Sequence, residues 1–419
     1  MKGINLLNIG QKLFNLGITF LISVPSIAAL LLLLSSIISF IEKRYLLFKN
    51  IWNYPIFLSF GIILLSTFRN GILSKQEIIN HKELWLGLFN WLPLLILFIF
   101  IPPYIKTKSQ KILFSKLIIL SNFPLILSCF LQKSLGIYGP LSLLNGLIVW
   151  YQRMPGETTI STTGLFNNPN YTGFSLAISL PFIIFNIINI RKNKFAKTGL
   201  IIYLLITIYY IFSSNSRNAL FSTFLIFILA FGVKSIIIIT FILIAILPIN
   251  IILSSLFEID SLLIYLKQFF DEFYSSFSSF KIENIFSSQR FEIWSKSIKM
   301  ILEKPLLGWG AGTFGMLYLL YGGIYGTQHS HNIILQITQS YGLPFSIIIC
   351  TTIVLLILNA YKKILKNKEP NISINYFWLI SVMVASIHQL FDIVLFEGRL
   401  NIIYCILLTG SKTMIINNE

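Results

Sequence analysis

Charge is scarce in this chain. Charged residues occupy 11% of its 419 positions, against about 25% in ordinary soluble proteins, which excludes a soluble domain of this length. Acids are scarcer than bases, with 15 Asp+Glu against 32 Lys+Arg. Cysteine is nearly missing. Cys129, Cys350 and Cys405 lie inside apolar runs with no metal or redox spacing, and read as small core residues. No Gly-Lys-Ser/Thr follows Gly308-Trp-Gly-Ala-Gly312, so that stretch is no phosphate loop; it reads as a tight turn ending a helix. The first apolar run leads to further runs and not to a small-residue cleavage site, so no cleavable signal peptide is expected.

What is there is hydrocarbon. Hydrophobic residues make up 55% of the chain and its mean hydropathy is +0.79. Repeated apolar runs of roughly 17–25 residues mark helical membrane spans, because a backbone in lipid must satisfy its own hydrogen bonds. The runs are Leu13–Ile41, Ile51–Phe68, Leu84–Ile101, Ile112–Leu131, Thr172–Ile190, Thr198–Phe212, Asn218–Val233, Ser235–Leu256, Tyr341–Ala360, Ile374–Phe396 and Leu400–Gly410. The expected fold is an all-α integral membrane protein, one domain over 1–419, with a long external loop at 257–340 containing short helices. Pro25-Ser26 interrupts the first run. Two short helices meeting there give about twelve spans with both ends of the chain inside; a single span gives eleven.

Orientation follows from the bases. Placing Arg191-Lys192-Asn193-Lys194 inside and alternating outward puts most Lys and Arg, and few acids, on the inner side, as the positive-inside rule requires. That asymmetry explains the formal charge of +17 by membrane lipids and excludes nucleic acid as the partner. Three polar places then face outward: the loop 132–171, the short link Ser213–Arg217, and the long segment 258–340.

Those places carry motifs: Thr-Gly-Leu-Phe-Asn-Asn-Pro-Asn-Tyr-Thr-Gly at 163–173, Ser-Asn-Ser-Arg-Asn-Ala-Leu at 214–220, Ser-Ser-Gln-Arg-Phe-Glu-Ile-Trp at 287–294, and His331-Asn332 followed after nine residues by Gly342. In order and placement they resemble the O-antigen ligase/O-antigen polymerase superfamily, with Phe345 where the ligase-type pattern has Gly, Thr or Tyr. The resemblance implies a metal-independent glycosyltransferase without cofactor, at the outer face of the bacterial inner membrane. It implies a polyprenyl-diphosphate-linked glycan as donor. The acceptor would be lipid A-core, a protein or another lipid-linked glycan, which leaves ligase and polymerase both open.

The residues fit that chemistry on their own terms, each beside a plainer reading. Arg217 and Arg290 suit a diphosphate, because the guanidinium fork holds phosphate oxygens at two points. Equally, Arg217 is an interfacial arginine reaching headgroups and Arg290 a solvated helix charge. His331 suits a general base for an acceptor hydroxyl; alone it is an exposed loop histidine. His329 makes a His-x-His pair with it, yet no acid or Cys lies nearby in sequence to complete a metal site. Asn332 adjoins His331. Asn168 and Asn170 read first as a turn into the next helix, with sugar hydroxyls as a second use. Trp150, Tyr151, Trp309, Tyr318 and Tyr321 suit an interfacial belt. His388 and Asp392, one turn apart in the penultimate run, are costly in a span and could floor the site, support His331, or simply brace the bundle. The rival function is a transporter of a small solute such as bicarbonate, which wants polar groups at the midplane.

Overall fold

A computed structural model of the chain describes residues 6–43, 48–72, 81–154, 161–235, 237, 289–324 and 326–416. The first apolar run is two helices, α1 (Leu6–Phe20) and α2 (Pro25–Lys43), packed as a hairpin. Pro25 opens α2, where a missing N–H costs nothing. The close approach depends on Gly17, whose missing Cβ leaves room for Leu32. Further helices are α3 (Tyr54–Ile72), α4 (His81–Leu86), α5 (Leu92–Phe100), α6 (Lys108–Ser134), α7 (Pro169–Asn189), α8 (Lys194–Ser213) and α9 (Arg217–Phe231). The chain continues with α10 (Gln289–Glu303), α11 (Phe314–Leu320), α12 (Ile333–Tyr341), α13 (Leu343–Lys366), α14 (Ile374–His388) and α15 (Gly398–Ile415). Among the described residues, seven helical segments are long and apolar enough to cross a membrane, and α9 and α14 are shorter apolar helices. The protein is an all-α membrane protein, with one small hairpin of β1 (Leu141–Leu143) and β2 (Ile148–Trp150).

The bundle is built around α7, which is buried without a break from Thr172 to Asn186 by packing on α6, α8, α9 and α14. Its polar residues are satisfied internally: Ser175 donates to Asn122 Oδ1 at 2.8 Å, and Asn186 to Ser115 Oγ at 2.9 Å. Such bonds hold helices together where no water competes. The outer helices turn large apolar side chains outward, among them Leu30, Leu33, Leu58, Leu65, Ile347, Val354 and Leu358, as lipid-facing surfaces do.

Two runs depart from the sequence expectation. Leu84–Ile101 is not one helix: α4 ends at Leu86 and a 3-10 turn, Gly87–Asn90, precedes α5. Gly87 lies against Ala311 with no room for a Cβ, so the break lets the 308–312 turn approach. The penultimate run stops at His388, not Phe396. Beyond it the carbonyls of Gln389 and Leu390 accept the Ile333 N–H and Asn332 Nδ2, at 2.9 and 3.0 Å, and no longer serve a helix. The expected span 235–256, except Ser235 and Ile237, and the first part of the long loop, 258–288, lie outside the described residues.

Candidate functional site

The site gathers at one end of the bundle, where α9 begins, α12 begins and α14 has just ended. Residues 289–324 form a small cap there. Its core is Ile293, Met300, Trp309, Phe314, Leu317 and Tyr318. Trp309 and Tyr318 are therefore buried packing residues, not members of an interfacial belt. The glycine stretch is the turn the sequence suggested: Gly308, Gly310 and Gly312 all have positive φ, and Trp309 and Gly310 donate to the Gln339 and Ser340 carbonyls at 2.9 Å. That pairing fastens the cap to the end of α12.

His331 is held by its neighbours. Ser330 N–H donates to Gln336 Oε1 at 2.9 Å, and Ser330 Oγ to the Asn332 carbonyl at 2.8 Å. Trp294, one turn after Arg290 in α10, donates from its indole to the Ser330 carbonyl at 3.0 Å. Asn332 caps α12, accepting from Leu335 N–H at 3.1 Å. Between these fixed points His331 takes φ 52°, a left-handed conformation that costs energy outside glycine and is found where surroundings over-determine it.

The structure brings Asp392 to this loop from across two spans. His331 Nδ1 lies 3.3 Å from Asp392 Oδ1, with the carboxylate buried and the imidazole partly open. A carboxylate there fixes the imidazole with its proton on Nδ1, which frees Nε2 as a lone pair; the nearest hydroxyl to it, Thr327 Oγ1, is at the 3.5 Å limit. Burial pushes the Asp392 carboxyl up, but the His331 hydrogen bond and the charges of His331, His388 and His329 outweigh it and hold it below its ordinary value. Burial drives the His329 imidazole down to about 4, His331 adding to the shift and Asp392 opposing it. His329 is neutral at physiological pH.

The arginines join the same field. Arg217 opens α9, whose N-cap Ser216 accepts from Ala219 N–H. Arg290 lies in the first turn of α10 and is exposed at the surface. Partial desolvation lowers the guanidinium pKa; Asp392 counters the shift and Arg217 reinforces it. Arg290 thus feels both the Asp392 carboxylate and the Arg217 cation.

Other expectations resolve differently. Asn168 is the N-cap of α7, its side-chain Oδ1 accepting from Asn170 N–H at 2.9 Å, so the first reading of this pair as a turn into a helix stands. Tyr171, next along, lines a polar cavity of about 420 Å³ with Glu83, Asn90, Gln328, His329 and Gln336. His388 and Asp392 do stack as one turn, since Asp392 N–H donates to the His388 carbonyl at 3.1 Å, although the helix has ended. In space Asp392 also supplies the acid that sequence did not place beside His329 and His331: one ligand atom from each lies within 4.8 Å of the others, a spacing that by itself could hold a metal ion. Ser222 gave no sequence signal, being an ordinary polar residue in an apolar helix; Asn218 and Tyr171 lie inside quoted motifs, but nothing in the sequence singled them out there.

Comparison with known proteins adds one finding. Residues 202–350 match the family model described as O-antigen ligase. Over that segment the chain is similar to the O-antigen ligase family. The matched segment contains Arg217, Arg290, His331 and Asn332 and stops short of His388 and Asp392. The likeness supports glycan transfer of the O-antigen ligase kind in general and gives no support to solute transport. No curated protein matches the chain.

Proposed function

We propose that the protein transfers a glycan from a polyprenyl diphosphate to an acceptor hydroxyl at the outer face of a bacterial inner membrane. The observation that carries this is the His331–Asp392 contact set beside Arg290 and Arg217 at one end of the bundle. His331 Nε2 takes the proton of the acceptor hydroxyl. The freed oxygen attacks the anomeric carbon of the donor sugar, and the bond from that carbon to the diphosphate breaks. The electron pair leaves on a diphosphate oxygen, where Arg217 and Arg290 meet the growing charge. No step calls on a metal or cofactor.

A lipid-linked substrate fits the walls. An apolar cavity of about 380 Å³ lies among α5, α12, α13, α14 and α15. It shares Trp91, Ile337 and Leu395 with the polar cavity that contains His329, so hydrocarbon can lie beneath a glycan. The sidedness rests on charge: Arg191, Lys192, Lys194, Lys363, Lys366 and Lys368 lie at the end opposite the site, where the positive-inside rule puts the cytoplasm.

Comparison of lipid-linked and surface glycans with and without the gene tests the reaction. Loss of long-chain attachment alone means ligase; loss of extension with one repeat retained means polymerase; unchanged glycans refute both. Labelling of Ile324→Cys in intact spheroplasts tests the side, and a cysteine there that reacts only after lysis would place the site in the cytoplasm.

A further inference from the structure

Three buried polar atoms around the turn that carries Asp392 have no hydrogen-bond partner among the described residues: His388 Nε2, Asp392 Oδ2 and Asn218 Oδ1. They belong to one neighbourhood. Asn218 Nδ2 and the Asp392 N–H both donate to the His388 carbonyl, at 2.8 and 3.1 Å. The His388 ring is fully buried and edge-on to Phe174, with centroids 4.7 Å apart. Its Nδ1 lies 3.0 Å from Ser222 Oγ.

The chemistry of the three atoms is complementary. A carboxylate oxygen and an amide oxygen only accept; a neutral imidazole nitrogen does either, according to its tautomer. If the Ser222 hydroxyl donates to Nδ1, the single ring proton sits on Nε2, and one water can accept from it and donate to the two oxygens. The other tautomer would leave three acceptors facing the two protons of such a water, one of them unpaired at the cost of its desolvation. Burial of this kind selects the first arrangement.

We infer that His388, protonated on Nε2, holds the second oxygen of Asp392 through one water, which accepts from Nε2–H and donates to Asp392 Oδ2 and Asn218 Oδ1. Asp392 is then held on both sides, by His331 at Oδ1 and by His388 at Oδ2. His388 touches no substrate; it is a positioning residue. Its effect is to fix the carboxylate plane so that Oδ1 keeps the proton of His331 on Nδ1 and leaves Nε2 free to act as base. That consequence rests on the proposed role of His331. The geometry also explains why α9 carries Arg217, Asn218 and Ser222 within two turns: the helix that presents a cation to the leaving group also sets the residue behind the base.

Two substitutions separate this from a packing role. Glutamine places its amide nitrogen near the position of His Nε2, and asparagine near that of Nδ1. His388→Gln keeps the bond toward Asp392 and loses the one to Ser222, while His388→Asn does the reverse. The expected result is near-normal kcat for His388→Gln and a loss of about tenfold or more for His388→Asn, a scale set by small misplacements of catalytic groups. Donor KM should be unchanged in both. His388→Asn should cost nothing further on an Asp392→Asn background. Retained kcat in His388→Asn with loss in His388→Gln would assign the residue to Ser222 and packing, and overturn the inference. A second readout needs no substrate: the ¹⁵N imidazole signals of His331 in purified protein. The Nδ1–H tautomer should persist in wild type and His388→Gln and become mixed in His388→Asn; an unaltered tautomer in all three overturns the inference. The expected tautomers without glycan transfer by the wild type would instead overturn the proposed reaction alone.

Discussion

Asn332 ties the start of α12 to the turn after α14 through a single side chain: its Nδ2 donates to the Leu390 carbonyl at 3.0 Å while its Oδ1 caps α12. Asn332→Asp keeps the capping oxygen and turns the donor into a second oxygen facing Leu390. The helix cap, worth about 1 kcal/mol, is thereby retained while the turn bearing Asp392 loses its tie. Turnover should fall about tenfold, on the scale of a small misplacement, with a melting temperature closer to wild type than that of Asn332→Ala. Turnover and melting measured on the same preparations check this, and full turnover in Asn332→Asp would show that the tie does nothing for the site.

For the arginines the expected outcome is that lysine does not substitute. Lysine keeps the charge and loses the planar fork. Arg217→Ala and Arg290→Ala should each lower turnover by about a hundredfold, the order seen on removing one donor to a transition-state charge, and Arg→Lys should recover little. His331→Ala should spare donor binding while losing on the order of 10²–10⁴ in rate. Donor affinity measured beside turnover distinguishes them: a His331→Ala protein with weak donor binding and normal saturated rate would make His331 a binding residue.

His329 links stability to pH. Its folded-state value of about 4 lies below the ordinary value of about 6.5, so the unfolded chain takes up the proton first. The stabilisation of the neutral form is complete above about pH 6.5 and drains away as pH falls toward about 4. Melting temperatures in detergent should decline over that window, and His329→Asn should flatten the decline. An identical pH profile in the variant would remove His329 from the cause.

Chelation decides between a base and a metal at the His329, His331 and Asp392 cluster. Transfer by purified protein is expected to persist in excess EDTA. Loss of activity, restored by one divalent ion, would make these three side chains ligands and would displace His331 from the role of base.

Much of this was legible beforehand, for reasons that can be named. Arg217 stood out because a cation on the outer side serves no positive-inside purpose, and Arg290 because it sits in the 287–294 motif that carries the resemblance. His331 stood out because imidazole beside Asn332, just before a helix, is an unusual pair. Hydropathy found the spans because burial in lipid tolerates little else, and Pro25 marked the α1–α2 hairpin. The end of α14 was not legible: Gln389-Leu390-Phe391 carries no Gly or Pro, and only tertiary bonds from Ile333 and Asn332 stop the helix there. The break at Gly87 was hidden likewise, since Ala311 lies far off in sequence. Ser222 looks like any polar residue in an apolar helix until His388 is placed against it.

Asp392 also stands late in the order of synthesis. A ribosome delivers Arg217 on α9 and His331 ahead of α12 well before it delivers the turn after α14. Until that turn arrives, the nascent protein owns its cations and its imidazole but not the carboxylate beside the imidazole. On the proposed mechanism, a chain truncated anywhere before it would be a membrane protein with a phosphate-attracting face and no oriented base. The same mechanism would withhold the capacity for chemistry until almost the whole bundle has been inserted.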